Sequence, residues 1–378
     1  MSDLAASQRL PQRLPMNGNG GIMPQRTGGG PARAIDWARR NLFSSVFNSI
    51  LTIVVLALAA FILPPLLRWT ITHASFWGMD KSACTGDGAC WTFIRVRFPL
   101  FIYGRYPSDQ YWRVDFSFVL LAAFCIPVLR DKVPHRWAWA LVLLLVFPTI
   151  ASVLLWGGIF GLPYVDTSLW GGLMLDVIVS FVTVAGSLPF GIVLAFGRRS
   201  RLPIVRMLSI GYIEVWRGVP LLTVLFMSTV VLPLFMPEGV SLDRLLRAMA
   251  ALVLFNSAYM AEVVRGGLQG VAAGQEEAAH TLGLRWWHAQ AFIVLPQAMR
   301  IVVPGIINTV VDLFKDTTLV TIIGLFDLLG TVEQALKDPA WLGFAKEGYV
   351  FSAMMFFVCC FAMSAYGRSF ERRLARSD

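Results

Sequence analysis

Charge is scarce in this chain of 378 residues. Asp, Glu, Lys and Arg together make up 15% of it, against about a quarter in soluble domains. With 56% hydrophobic residues and a mean hydropathy of +0.64, that scarcity excludes a soluble globular protein. Histidine is also rare, and its four copies are scattered. No Ser-His-Asp or Cys-His constellation is visible and no metal-ligand spacing occurs, so nothing points to catalysis by this chain and no cofactor is expected in it. A G-x-x-x-x-G-K-[ST] phosphate loop is missing as well, which removes the means to hydrolyse ATP alone. Cysteine is limited to five residues. Cys125, Cys359 and Cys360 lie in apolar segments and read as packing residues. Cys84 and Cys90 flank a Gly-Asp-Gly turn in "CTGDGAC", a spacing that suits a small disulfide if the loop faces an oxidising compartment.

What the chain has in abundance is continuous apolar sequence. A helix crosses a bilayer in roughly 20 apolar residues, and backbone groups in lipid must pair internally. Membrane strands would alternate in short segments, whereas these runs are unbroken. The fold class is therefore all-α integral membrane. Eight spanning helices are expected, at about 43–67, 114–130, 137–160, 172–196, 217–236, 244–262, 301–326 and 349–367. Residues 1–40, rich in Gly, Pro, Gln and Arg, read as a disordered tail. The run Phe43 to Leu67 is too long for a signal-peptide h-region. Residues 41–168 then form a three-helix extension containing the loop 68–113.

The net charge of +9 raises nucleic acid as a partner, but the basic residues cluster just outside the apolar runs, where they set topology. Arg33, Arg39 and Arg40 precede the first helix. The segments "RDKVPHR" (130–136), "GRRSRLPIVR" (197–206) and "GRSFERRLAR" (367–376) fall on the same side in an eight-helix count. The loops "GLPYVDTSLW" and "MPEGVSLD" on the other side contain no Lys or Arg. Both termini are expected in the cytoplasm. The loop 68–113 dissents, carrying Arg68, Lys81, Arg95, Arg97, Arg105 and Arg113 on the outer side.

Between the sixth and seventh helices lies a polar insert, "EEAAHTLGLRWWHAQAFIVLPQ", Glu276 to Gln297. The segment "GQEEAAHTL" is helix-forming, with glutamates near its N-terminus where they complement the dipole. Gly283 ends that helix. A second helix begins at "RWWHA" and is expected to break at Pro296. The result is a cytoplasmic helical hairpin over 266–296. Ala278 and Ala279 give it a slim face and Glu277 a carboxylate for a partner arginine. From residue types alone it is equally an interfacial helix with Trp286 and Trp287 among lipid headgroups.

The spacing of Glu277, Ala278, Ala279, Gly283, Ile293, Leu295 and Pro296 resembles the coupling-loop motif of bacterial ABC importer permeases. Flanking segments "YIEVWRGVPLL" (212–222), "AYMAEVVRGGLQGVAAGQEEAAHTLG" (258–283) and "LFKDTTLVTIIG" (313–324) are similar to its polar amino-acid uptake branch. The longer overall layout resembles the larger permease subunit of the general L-amino-acid transport system. The resemblance implies a five-helix permease core over 169–378. Its implied partners are an ABC ATPase dimer that holds ATP and magnesium, a second and different permease chain, and a periplasmic amino-acid-binding protein. The implied location is the bacterial inner membrane. Two rivals stand beside it: an ion-coupled secondary transporter, and a membrane anchor for an ATPase that transports nothing.

Ionisable groups inside membrane helices are costly and face a polar pathway or a partner. Asp312, Lys315 and Asp316 share one face of the seventh helix. Lys315 could meet the carboxylate of an amino acid and either aspartate its ammonium, so the three are candidate substrate-binding residues. The competing structural reading is a self-satisfied Asp312–Lys315 pair. Glu214 with Arg217, and Glu262 with Arg265, read as local ion pairs or interface anchors. His280 and His288 are expected on exposed hairpin faces, and Asn256 and Ser257 are placed to hydrogen-bond across helices.

Overall fold

The structure, a computed structural model, describes residues 30–374 except 85, 131–132, 238 and 240–241. Of the tail expected over 1–40, residues 1–29 lie outside those described. Residues 30–40 do not follow that expectation, because Gly30–Asn41 is a helix (α1), consistent with its Ala and Arg content. The chain divides into two compact units, residues 1–72 and 73–378.

In the first unit, α2 (Val46–Leu67) is capped by Ser45, whose hydroxyl accepts from the Asn48 amide at 3.1 Å. It is apolar all round and none of its residues is buried, the pattern of a helix whose solvent is lipid. Pro64 and Pro65 lie in its last turn, and a π-turn over Arg68–Thr72 extends it.

The second unit holds α3 (Trp91–Tyr103), α4 (Tyr111–Leu129), α5 (Arg136–Leu141), α6 (Phe147–Trp156), α7 (Gly172–Arg198), α8 (Pro203–Gly218) and α9 (Leu221–Phe226). It continues with α10 (Arg244–Gly270), α11 (Ala273–Thr281), α12 (Trp286–Ala289), α13 (Leu295–Asp316), α14 (Leu328–Leu336) and α15 (Ala345–Leu374). Seven helices across the described residues are long and apolar enough to cross a membrane, and the bent pair formed by α8 with 221–235 brings the count to eight.

Two spans differ from expectation, and both differences turn on proline. The fifth was expected as a single helix over 217–236. Instead, a helix begins at Pro203, inside what read as a basic loop, and turns by 100° between Gly218 and Leu221. Pro220 pushes Val219 into extended backbone (φ −99°, ψ 137°) and so stops α8. The seventh was expected to follow a break at Pro296. The chain is instead helical from Trp286 to Asp316, because a π-turn over Gln290–Val294 directly precedes Pro296. The wider turn puts the proline in the first turn of α13, where its missing N–H breaks no ladder.

Small residues set the tightest packing. Gly186 of α7 faces Val253 of α10, and a Cβ on Gly191 would stand 2.6 Å from that of Met260. Helices approach this closely in a membrane only through such positions. Around that pair, Met174, Leu175, Val179, Leu225, Leu245 and Leu252 form the largest buried cluster. α7 has 27 residues and therefore runs about 40 Å, from one end of the unit to the other.

At its start, the Gly172 amide donates to Phe326 O at 2.9 Å and Arg105 N to Leu169 O at 3.0 Å. The segment 68–113, expected as a loop, contains α3, whose Phe93 and Phe101 pack with Leu328, Val332 and Trp341. Five of its six Lys and Arg residues are engaged by specific acceptors. Arg95 donates to Gly78 O at 2.6 Å, Arg105 to Ser168 O at 2.9 Å, Arg113 to Pro163 O at 3.0 Å and Lys81 to Leu342 O at 2.8 Å. Arg97 pairs with Asp338. These side chains tie the segment to its neighbours in the fold. Cys84 and Cys90 are disulfide-bonded, and the Cys90 amide donates to the buried Glu347 carboxylate at 3.1 Å.

Candidate functional site

The far end of α7 meets the hairpin. α11 ends where Gly283 takes φ +79°, with nothing within 4 Å of where its Cβ would be. The reversal is closed by the Leu284 amide donating to Ala279 O at 3.1 Å and the Gly283 amide to His280 O at 2.9 Å. Glycine adopts this backbone without penalty. Two side-chain pairs then hold the arms together. Gln290 Nε2 donates to Glu276 Oε1 at 2.8 Å, and Gln297 Nε2 to Gln275 Oε1 at 3.2 Å.

The seven motif residues separate into two groups, with Pro296 on the exposed side. Ala279 is buried, Ile293 and Leu295 are half-buried, and Ala289, Val294 and Ala298 complete the inner side. Val294 and Ala298 pack with Ala195, Val264 and Leu268 from the ends of α7 and α10. Glu277, Ala278 and Gly283 are exposed, beside Leu282 at 81% exposure. An outward carboxylate, a small side chain and a bare leucine on a short braced helix form a knob suited to a cleft in another protein. His280 and His288 are exposed, and His280 Nδ1 lies 3.2 Å from Leu284 O.

A charge cluster joins three helices at the same end of α7. Arg198, the last residue of α7, donates to Glu262 of α10 at 2.6 Å and lies 3.3 Å from Glu214 of α8. Arg265 donates to Glu262 through Nε at 3.0 Å and Nη2 at 2.7 Å. Arg217 is 3.9 Å from the same carboxylate. Glu262 with Arg265 is the local pair the spacing suggested. Glu214 instead pairs with Arg198 across helices, a partner that lies 16 residues away in sequence. Ser257 and Tyr212 meet across α10 and α8 at 3.0 Å, whereas Asn256 donates to Leu252 O of its own helix at 3.0 Å.

Of the three residues considered for substrate, Lys315 donates to Asp312 at 2.8 Å, and both are exposed, at 54% and 71%. Asp316 is half-buried. Arg300, Asn308, Asp312 and Lys315 are all exposed along α13. An ion pair on the outside of a spanning helix calls for water or another subunit against it, since lipid there is costly.

A carboxylate that sequence reasoning passed over is Asp176 of α7, fully buried. It accepts from Thr317 Oγ1 at 2.6 Å and from the Leu328 amide at 3.0 Å. Asp327, also buried, accepts from Thr321 Oγ1 and from the Gly330 amide at 2.8 Å. Together they fasten "KDTTLV" and the start of α14 to α7. A lone aspartate inside an apolar run was the available signal.

Residues 187–376 match the family described as binding-protein-dependent transport system inner membrane component. The chain is 51% identical to the inner membrane amino-acid ABC transporter permease protein YhdY of Escherichia coli K12, over 90% of this chain and 93% of that protein. It is 36% identical to the glutamate/glutamine/aspartate/asparagine transport system permease protein BztC of Rhodobacter capsulatus, over 91% and 94%. It is 31% identical to the probable glutamine ABC transporter permease protein GlnP of Bacillus subtilis, over 54% of this chain and 93% of that one.

Proposed function

The chain belongs to the binding-protein-dependent transport system inner membrane components, and from that premise we propose that its hairpin couples a separate ATPase to the import of L-amino acids. The protein is a multi-pass inner-membrane permease subunit of an amino-acid ABC importer. An external binding protein delivers substrate, and the ATPase subunits hold ATP and magnesium. Both termini lie in the cytoplasm with the hairpin, in keeping with the Lys and Arg placement. Residues 169–378 act as the translocating core and 41–168 as an extension. The match of the shorter GlnP to about half of this chain supports that division.

The exposed Glu277–Ala278–Gly283 surface on a hairpin braced against α7 and α10 carries the coupling reading. Closure of the ATPase subunits pushes on the knob. The buried residues beneath pass the displacement to α10 and α13, and the Arg198–Glu262 cluster passes it to α7 and α8. A ligand shifts a two-state equilibrium only by its differential affinity for the two states, and the docked knob supplies that difference. The exposed Asp312–Lys315 pair on α13 faces the translocation path or the second permease chain. Replacing Glu277 by Arg tests the docking: the ATPase should then fail to co-purify with the permease, and normal co-purification with normal uptake would refute it.

The ion-coupled rival assigns Asp312, Lys315 and Asp316 to ion binding and leaves the knob without a role. No observation favours it.

A further inference from the structure

A groove of about 860 Å³ lies between the hairpin and the corner joining α7 to α8. Ile192, Val193, Phe196 and Val205 form one wall, Trp286 and Trp287 the other, and Arg199 and Arg201 stand at its edge. Glu276 is the one carboxylate among the lining residues described, and it is engaged by Gln290 at 2.8 Å and lies 4.0 Å from His280. Arg199 reaches Leu268 O at 3.4 Å, a long contact that leaves most of its guanidinium N–H groups available. The groove is thus cationic at its rim and apolar along its length.

Its depth fits a specific occupant. The apolar span of α7 ends at Arg198, so Arg199 and Arg201 sit at the membrane boundary. Val193, Leu202 and Ile204 are exposed beside them, and Trp287 is 73% exposed. Trp286 is held edge-on to Phe196, with ring centroids 6.2 Å apart, and Trp287 edge-on to Trp286 at 4.5 Å. Tryptophan and arginine at this level are the pairing by which proteins meet headgroups, and guanidinium binds phosphate oxygens bidentately.

We propose that this groove binds one anionic phospholipid of the cytoplasmic leaflet, its phosphate between Arg199 and Arg201 and an acyl chain along Val193, Val205 and Trp287. The lipid then forms part of the contact between the hairpin and the α7–α8 corner, and import depends on its presence. The inference rests on the cytoplasmic placement and coupling role proposed above.

The test uses the complete transporter in phosphatidylcholine vesicles with or without phosphatidylglycerol, one of the two lipids brominated on its acyl chains to quench tryptophan fluorescence. Brominated phosphatidylglycerol is expected to quench more strongly than brominated phosphatidylcholine, and Trp287→Phe to remove part of that excess. Each arginine neutralised, in Arg199→Gln and Arg201→Gln, should lower the phosphatidylglycerol preference about fivefold. Lysine at both positions should retain it. ATP-driven uptake should fall without the anionic lipid in the native complex and be insensitive to it in the double glutamine variant. Equal quenching by the two lipids overturns the proposal, as does an unchanged lipid dependence in the double variant. Loss of the excess on adding inorganic phosphate overturns it in favour of a free anion. The Glu277→Arg complex separates the two readings: a retained quenching excess after loss of the ATPase leaves the lipid site standing while coupling is judged alone.

Discussion

Arg198 and Glu262 lie 64 residues apart in sequence and 2.6 Å apart in space, joining the last residue of α7 to α10. The carboxylate is shared, since Arg265 and Arg217 approach its other oxygen at 2.7 and 3.9 Å. One acidic side chain therefore ties α7, α8 and α10 together at this end.

Replacing Glu262 by Gln should loosen that end. The Glu262 side chain is 17% exposed, and hydrogen bonds to charged groups contribute about 1.5–3 kcal/mol each before screening. The half-exposed arginines regain water, so the net loss is expected at the lower end. Melting of the purified complex should fall by a few degrees, and ATP hydrolysis should persist while uptake per ATP drops. Unchanged uptake per ATP would remove the cluster from the coupling path.

At Gly283 the constraint is backbone alone, because open space surrounds the position of its missing Cβ. Its φ of +79° costs an ordinary residue about 1–2 kcal/mol. Gly283→Val should thus weaken ATPase attachment and Gly283→Asn should be better tolerated, as measured by titrating the ATPase onto the detergent-solubilised permease. Equal attachment for both variants would mean that the turn geometry does not matter to docking.

Lys315 separates the substrate role from the structural one. If it meets the substrate carboxylate, Lys315→Met raises the substrate concentration for half-maximal uptake at normal expression. Unchanged affinity and rate would leave the Asp312–Lys315 pair as a purely structural contact.

The spans were legible because lipid demands continuous apolarity, and the hairpin because its polar residues interrupt that demand. Proline was ambiguous. Pro220 accompanies a 100° bend, while Pro296 follows a π-turn and leaves the helix running. The start of α8 could have been found from Pro203, since proline favours the first helical position, but the surrounding arginines made the segment read as a loop. The engagement of Arg95, Arg105 and Arg113 by backbone carbonyls, and of Asp176 by Thr317, has no local signature. Such pairs depend on tertiary folding, which brings Asp176 within 2.6 Å of a hydroxyl 141 residues later.

Transport by the reconstituted complex tests the central claim most directly. Permease, ATPase and binding protein are placed in sealed vesicles, and entry of a labelled L-amino acid is followed with ATP on the hairpin side and an ionophore that dissipates ion gradients. The account predicts uptake that requires ATP and the binding protein, survives the ionophore and is lost with Glu277→Arg. Uptake by the permease alone, driven by an ion gradient and abolished by the ionophore, would contradict it.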